Sequence, residues 1–116
     1  MSHPKHPADV MRIFIACSPT YRNRRAIMEA LGSIFIDTIE QQREYYYLDC
    51  PAMDEIFDDG VFNRAIFHQF VPNDRVHAPS IQRLKFAYVV AGGDDAFIAK
   101  AIGDINSQDA MLVRLA

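Results

Sequence analysis

Four consecutive residues, Gly92-Gly93-Asp94-Asp95, join an apolar run to an amphipathic stretch, and their types suit phosphate chemistry. Paired glycines let a backbone turn tightly and approach a phosphate, and paired carboxylates offer hard oxygen ligands to Mg²⁺. Asp49, near the end of the run EYYYLDC, adds a carboxylate upstream. A second group lies near the start, where Cys17-Ser18-Pro19-Thr20 leads into Tyr21-Arg22-Asn23-Arg24-Arg25. A thiol facing a helix N-terminus ionises more readily, and neighbouring arginines hold an oxyanion. Two further clusters suit recognition rather than catalysis: the carboxylates Asp54, Glu55, Asp58 and Asp59, and the aromatic run Tyr45-Tyr46-Tyr47. Tyrosine and arginine are favoured at protein interfaces.

The Gly-Gly-Asp-Asp turn, with Asp49 upstream, resembles the metal-binding turn of palm-type nucleotidyl cyclases and CRISPR-associated palm polymerases. That resemblance implies a turn between two hairpin strands, Mg²⁺ held by Asp49, Asp94 and Asp95, and nucleotide binding or nucleotidyl transfer. Ala96 stands where such turns carry a bulky residue. Phe97, Ala101 and Ile105 recur at helical spacing, so the same four residues also read as strand-ending glycines, an Asp94 N-cap and an acidic first turn. The Cys17 segment resembles the phosphate loop of Cys-dependent phosphatases. Its Cys-x5-Arg spacing, however, would put arginine where this chain has Asn23, and the loop holds no glycine. Neither group therefore assigns a catalytic residue. No Gly-x-Ser-x-Gly elbow or H-E-x-x-H pattern occurs, and the acidic cluster lacks calcium-loop alternation.

The chain has 116 residues, half of them apolar, enough for one domain with a continuous core. Its net charge of −3 supplies no positive field to attract a polyanion, so nucleic-acid contact would need a local patch such as Arg22, Arg24 and Arg25. Two cysteines without framework spacing read as reduced thiols of a cytoplasmic protein. The N-terminus lacks an apolar stretch after its basic residues, and every apolar run is far shorter than the ~20 residues that span a bilayer, so neither a signal peptide nor a membrane anchor is expected.

Residues 1–9 read as a flexible arm and residues 10–116 as one domain. Residues 10–17 alternate Ile13, Ile15 and Cys17 against Phe14 and Ala16, the pattern of a strand covered on both faces. A helix is expected over 22–31, capped by Asn23 or Thr20 and stopped by Gly32, followed by a hairpin of strands at 33–40 and 44–50. In the second of these strands Tyr46 opposes Tyr45 and Tyr47, which sends at least one phenol to solvent or a partner. Helices at 51–59 and 61–70, a loop at 72–80, a strand at 84–91, a helix at 94–106 and a strand at 110–115 complete the order β-α-β-β-α-α-β-α-β. That order predicts an α+β two-layer sandwich on a mixed sheet of about five strands, with a three-layer α/β sheet as the alternative.

The functional expectation is a small non-enzymatic binding protein, an adaptor or inhibitor without a cofactor. It would meet a protein partner through Tyr21, Arg22, Arg24, Arg25, Tyr45, Tyr46, Tyr47, Asp54, Glu55, Asp58 and Asp59. The alternatives are a Mg²⁺-dependent nucleotide domain using Asp49, Asp94 and Asp95, and an anion or nucleic-acid binder using the arginines. Exposed sheet edges would also permit a homodimer.

Overall fold

The computed structural model describes residues 10–60, 62, 67–70, 84–105 and 108–115. The first strand, β1 (Met11–Cys17), is fully buried from Ile13 onward. Ile13, Ile15 and Cys17 enter one apolar core and Phe14 and Ala16 the other, as their alternation predicts.

Helix α1 (Arg24–Asp37) starts where Asn23 Oδ1 accepts the Ala26 N–H at 3.2 Å. It then runs through Gly32, so residues 33–37, expected as strand, are helical and the expected hairpin does not form. Ile27, Leu31, Ile34 and Thr38 fall on one stripe and are all buried. Burying that stripe outweighs both the roughly 1 kcal/mol that glycine costs a helix interior and the strand preference of Ile34-Phe35-Ile36. Thr38 closes the helix by donating its hydroxyl to the Ile34 carbonyl at 2.7 Å.

Strand β2 (Arg43–Tyr47) returns parallel to β1, Ile13 facing Tyr45 and Ile15 facing Tyr47. Pro51 then opens α2 (Pro51–Asp58) at the position where its missing N–H costs least, and Gly60 follows at φ +69°. Residues 67–69, expected as the end of a helix over 61–70, instead form β3 (Phe67–Gln69) beside β2. Aromatic pairing explains the change: Phe67 stacks on Tyr45 at 4.8 Å and His68 on Tyr46 at 4.9 Å. Residues 61 and 63–66 of that expected helix, the arm at 1–9 and the loop at 72–80 lie outside the described residues. The chain continues as β4 (Tyr88–Gly92), α3 (Asp95–Gly103) and β5 (Met111–Arg114).

The five strands lie in the order β3-β2-β1-β4-β5 and every neighbouring pair is parallel, which corrects the mixed sheet expected from a hairpin. The cause is the same continuation of α1: a helix between two strands carries the chain back to the start of the sheet, so its strands run the same way. Ile27, Leu31 and Ile34 of α1 and Ala52, Met53 and Ile56 of α2 pack on one face, and Ala101 of α3 packs on the other. The small α+β fold of about five strands thus holds, with helices on both faces as in the three-layer alternative. Phe14 anchors the second core, its ring edge-on to Phe70 at 5.8 Å and Phe86 at 5.4 Å.

Candidate functional site

From the middle of the sheet the chain leaves in two directions: β1 crosses through α1 toward β2, and β4 crosses through α3 toward β5. Crossovers of one hand travelling in opposite directions place their helices on opposite faces, which makes the carboxyl ends of β1 and β4 a topological switch point. Open parallel sheets bind ligands at such a switch point. Here it is bounded by Ser18 to Asn23 after β1 and by Gly93-Asp94 after β4, so the two segments singled out from the sequence meet at one place.

The meeting is close. The Ser18 N–H donates to the Gly92 carbonyl at 2.9 Å, and the Asp94 N–H donates to Ser18 Oγ at 3.2 Å. A side chain on Gly93, at φ +101°, would overlap the Ser18 hydroxyl, and one on Gly92 would sit 2.7 Å from the Tyr21 ring. Both glycines are therefore required by the packing of loop on loop. Tyr21, itself buried, accepts the Ala52 N–H on its carbonyl at 3.1 Å and so ties the loop to the first turn of α2.

Beneath Tyr21 lie both cysteines, each buried and unbridged. The Cys17 thiol donates a hydrogen bond to the Cys50 sulfur; that bond and then burial push the Cys17 thiol up, so it stays protonated. The same bond, aided by the N–H groups of Met53 and Ala52 against the opposing cost of burial, pulls Cys50 down. A buried, protonated Cys17 is not the exposed thiolate of a phosphate loop. Burial first, then the neighbouring Cys17 and Cys50, raise the Tyr21 phenol.

The Gly-Gly-Asp-Asp turn joins a strand to a helix and not two hairpin strands. Asp94 is the N-cap of α3, its Oδ1 accepting the Phe97 N–H at 3.1 Å. Asp95, in the first turn, pairs with Arg114. Among the described residues no three His, Cys, Asp or Glu side chains converge as a metal site. Asp49 stands exposed two residues beyond β2.

The expected docking surfaces are redistributed. Tyr45, Tyr46 and Tyr47 are all buried, Tyr46 in one core and its two neighbours in the other, so the aromatic surface expected there is internal. Packing on both faces of the sheet covers the three tyrosines of β2. Tyr46 meets its polar need by donating to Glu44 Oε2 at 2.8 Å. The opposed charge clusters face each other across α1 and α2, where Arg24 pairs with Asp59, while Arg25 pairs with Glu29 along its own helix at 3.2 Å. Arg22, Asp54, Glu55 and Asp58 are exposed, and Arg22 forms no ion pair with a described residue.

Sequence reasoning passed over Ser18, the buried hydroxyl that joins the two loops, because nothing local distinguishes it. It also missed the exposed apolar side chains Ile36, Ile39, Met111 and Leu112, whose exposure depends on which neighbours the fold supplies. No described helix is long and apolar enough to cross a membrane. No family model, curated protein or solved structure matches the chain.

Proposed function

We propose that this chain is a nucleotide-binding α/β protein whose site is the mouth of the switch point. The supporting observation is the meeting of the Ser18–Asn23 loop with the Gly93-Asp94 turn above β1 and β4. The first turn of α1 contains no acidic residue, and exposed Thr20 and Arg22 flank it, so an anionic phosphate gains both the helix dipole and a guanidinium there. Asp49 follows the neighbouring strand by two residues, in the region where parallel sheets that bind nucleotides place a carboxylate against sugar hydroxyls. Asp94 spends one oxygen on its helix cap and presents an exposed carboxylate to hydrogen-bond donors or to a Mg²⁺ carried in by the nucleotide. The first loop lacks the glycines that cradle a diphosphate, which favours a ligand with one phosphate held by Arg22 over a dinucleotide.

Thermal shift against nucleoside mono-, di- and triphosphates, with and without Mg²⁺, tests this reading, since a ligand of the folded state raises Tm by mass action. The expected result is a shift that Arg22→Glu and Asp49→Ala each abolish and that weakens with salt. No shift with any nucleotide, or one indifferent to both variants, overturns it. A second reading, a non-enzymatic protein-binding module, is favoured by the exposed apolar side chains of β5 and the end of α1.

A further inference from the structure

We propose that β5 is a two-fold interface with a second copy of this chain, in which β5 pairs antiparallel with its counterpart to make one continuous ten-stranded sheet from two five-stranded ones. The argument begins with the backbone. The N–H groups of Met111 and Leu115 donate to the Ala87 and Ala91 carbonyls of the inner neighbour, both at 2.8 Å. Residues alternate in direction along a strand, so Met111, Val113 and Leu115 turn their backbone polar groups toward β4, and Leu112 and Arg114 turn theirs outward. No described strand receives them.

Sheet edges are ordinarily protected by brevity, charge or proline. At the opposite edge, β3 has three residues, two of which, His68 and Gln69, are polar and exposed. By contrast β5 exposes Met111 at 62% and Leu112 at 49%, and its one charge, Arg114, is already neutralised by Asp95. Such an edge invites a strand, and its own chemistry selects a copy of itself. A two-fold axis through Val113 sets Leu112 opposite the partner's Arg114, and each such pair exchanges two N–H···O bonds, so all outward groups within the strand are satisfied. Val113 meets its own counterpart, Met111 meets the partner's Leu115, and no like charges face each other. An axis at Arg114 would oppose two guanidinium groups, and one at Leu112 would need Ala110, which lies outside the strand.

The side chains fit the same arrangement. Between α1 and β5 runs a groove of about 420 Å³ whose lining includes the apolar Ile34, Met111, Val113 and Leu115 beside the carboxylates Glu29 and Asp37. Antiparallel pairing brings the partner's Leu115 beside Met111 at its rim and buries apolar surface that the single chain leaves wet.

Sedimentation equilibrium over a wide concentration range tests the proposal, with an expected mass of about 26 kDa, twice the 13.2 kDa chain. Leu112→Pro removes an outward N–H while leaving every donor to β4 in place; it is expected to be monomeric with an unchanged far-ultraviolet spectrum and a Tm that no longer rises with protein concentration. Leu112→Lys, which keeps the whole backbone, should weaken association by about tenfold or more. Val113→Cys tests the register: facing thiols at a non-hydrogen-bonded pair lie close enough to bridge, so mild oxidation should give a covalent dimer, and Leu112→Cys should give far less. A monomer at every concentration overturns the proposal. So does a mass that grows without a plateau, or a dimer that survives both Leu112 substitutions.

Discussion

The mouth between β1 and β4 and the outer side of β5 are built on opposite terms, although β4 borders both. At the mouth, backbone meets backbone and ring at separations that leave no room for a methyl group: Gly92 lies under Tyr21 and Gly93 against Ser18. At β5, apolar side chains stand in solvent beside an open groove and backbone groups point outward unpaired by any described strand. The difference teaches where this protein tolerates change. A close-packed junction holds one geometry and transmits any added atom as strain, whereas an open edge absorbs substitution until a partner arrives.

The sharpest way to break that contrast is Gly93→Ala, because the new side chain would overlap Ser18 Oγ and the backbone there is at φ +101°. A loss of about 2–5 kcal/mol is expected in urea denaturation. Ser18→Gly in the same background should restore only part of it, since the backbone strain remains. Next in size is Asp94→Ala, which deletes the cap on the Phe97 N–H and should cost about 0.5–2 kcal/mol. Its value is diagnostic: under the nucleotide reading it also weakens ligand binding, and under a purely structural role it leaves the affinity of the folded protein unchanged.

The opposite sign is expected on the exposed side of α1. Gly32 is exposed in the interior of α1 with nothing within 4 Å of where a side chain would begin, so Gly32→Ala should stabilise the protein by about 0.5–1 kcal/mol. A loss there would show that the second half of α1 is not the settled helix described above. The smallest effect is a pH dependence carried by Tyr46, flat near neutral pH and emerging only in alkali. Burial, then the hydrogen bond to Glu44, push its phenol up to about 12. A raised pKa favours the protonated form in the folded state, so this contribution is complete below the ordinary value of about 10 and is lost as pH rises toward about 12. Tyr21 is shifted in the same direction and adds to the loss. Denaturation profiles across that window should flatten in Tyr46→Phe, and an unchanged slope would count against the buried hydrogen bond.

What could be read from the residues in order were the features decided within a few positions. The double-sided strand at Ile13 to Cys17, a cap at Thr20 or Asn23, the Asp94 cap and Pro51 at the head of a helix all follow from local spacing and one nearby hydrogen bond. Residues 33–37 and 67–69 were misassigned because each has a local preference that a distant surface overrules. Ile34 is helical since it completes a stripe with Ile27 and Leu31 against the sheet, and Phe67 is a strand since Tyr45 offers its ring. The two exchanges cancel in the strand count, so an expected five strands met an observed five for partly wrong reasons.

The candidate site divides in the same way. The Gly-Gly-Asp-Asp turn and the Ser18 to Arg25 segment were visible as separate groups of suggestive residue types. That they face each other 76 positions apart, that Arg24 answers Asp59 and that three consecutive tyrosines are buried depended on the order β3-β2-β1-β4-β5. Local sequence determines which way a segment prefers to turn. Strand order is settled by the burial of whole faces, a property summed over the entire chain, and only that sum brings distant segments together.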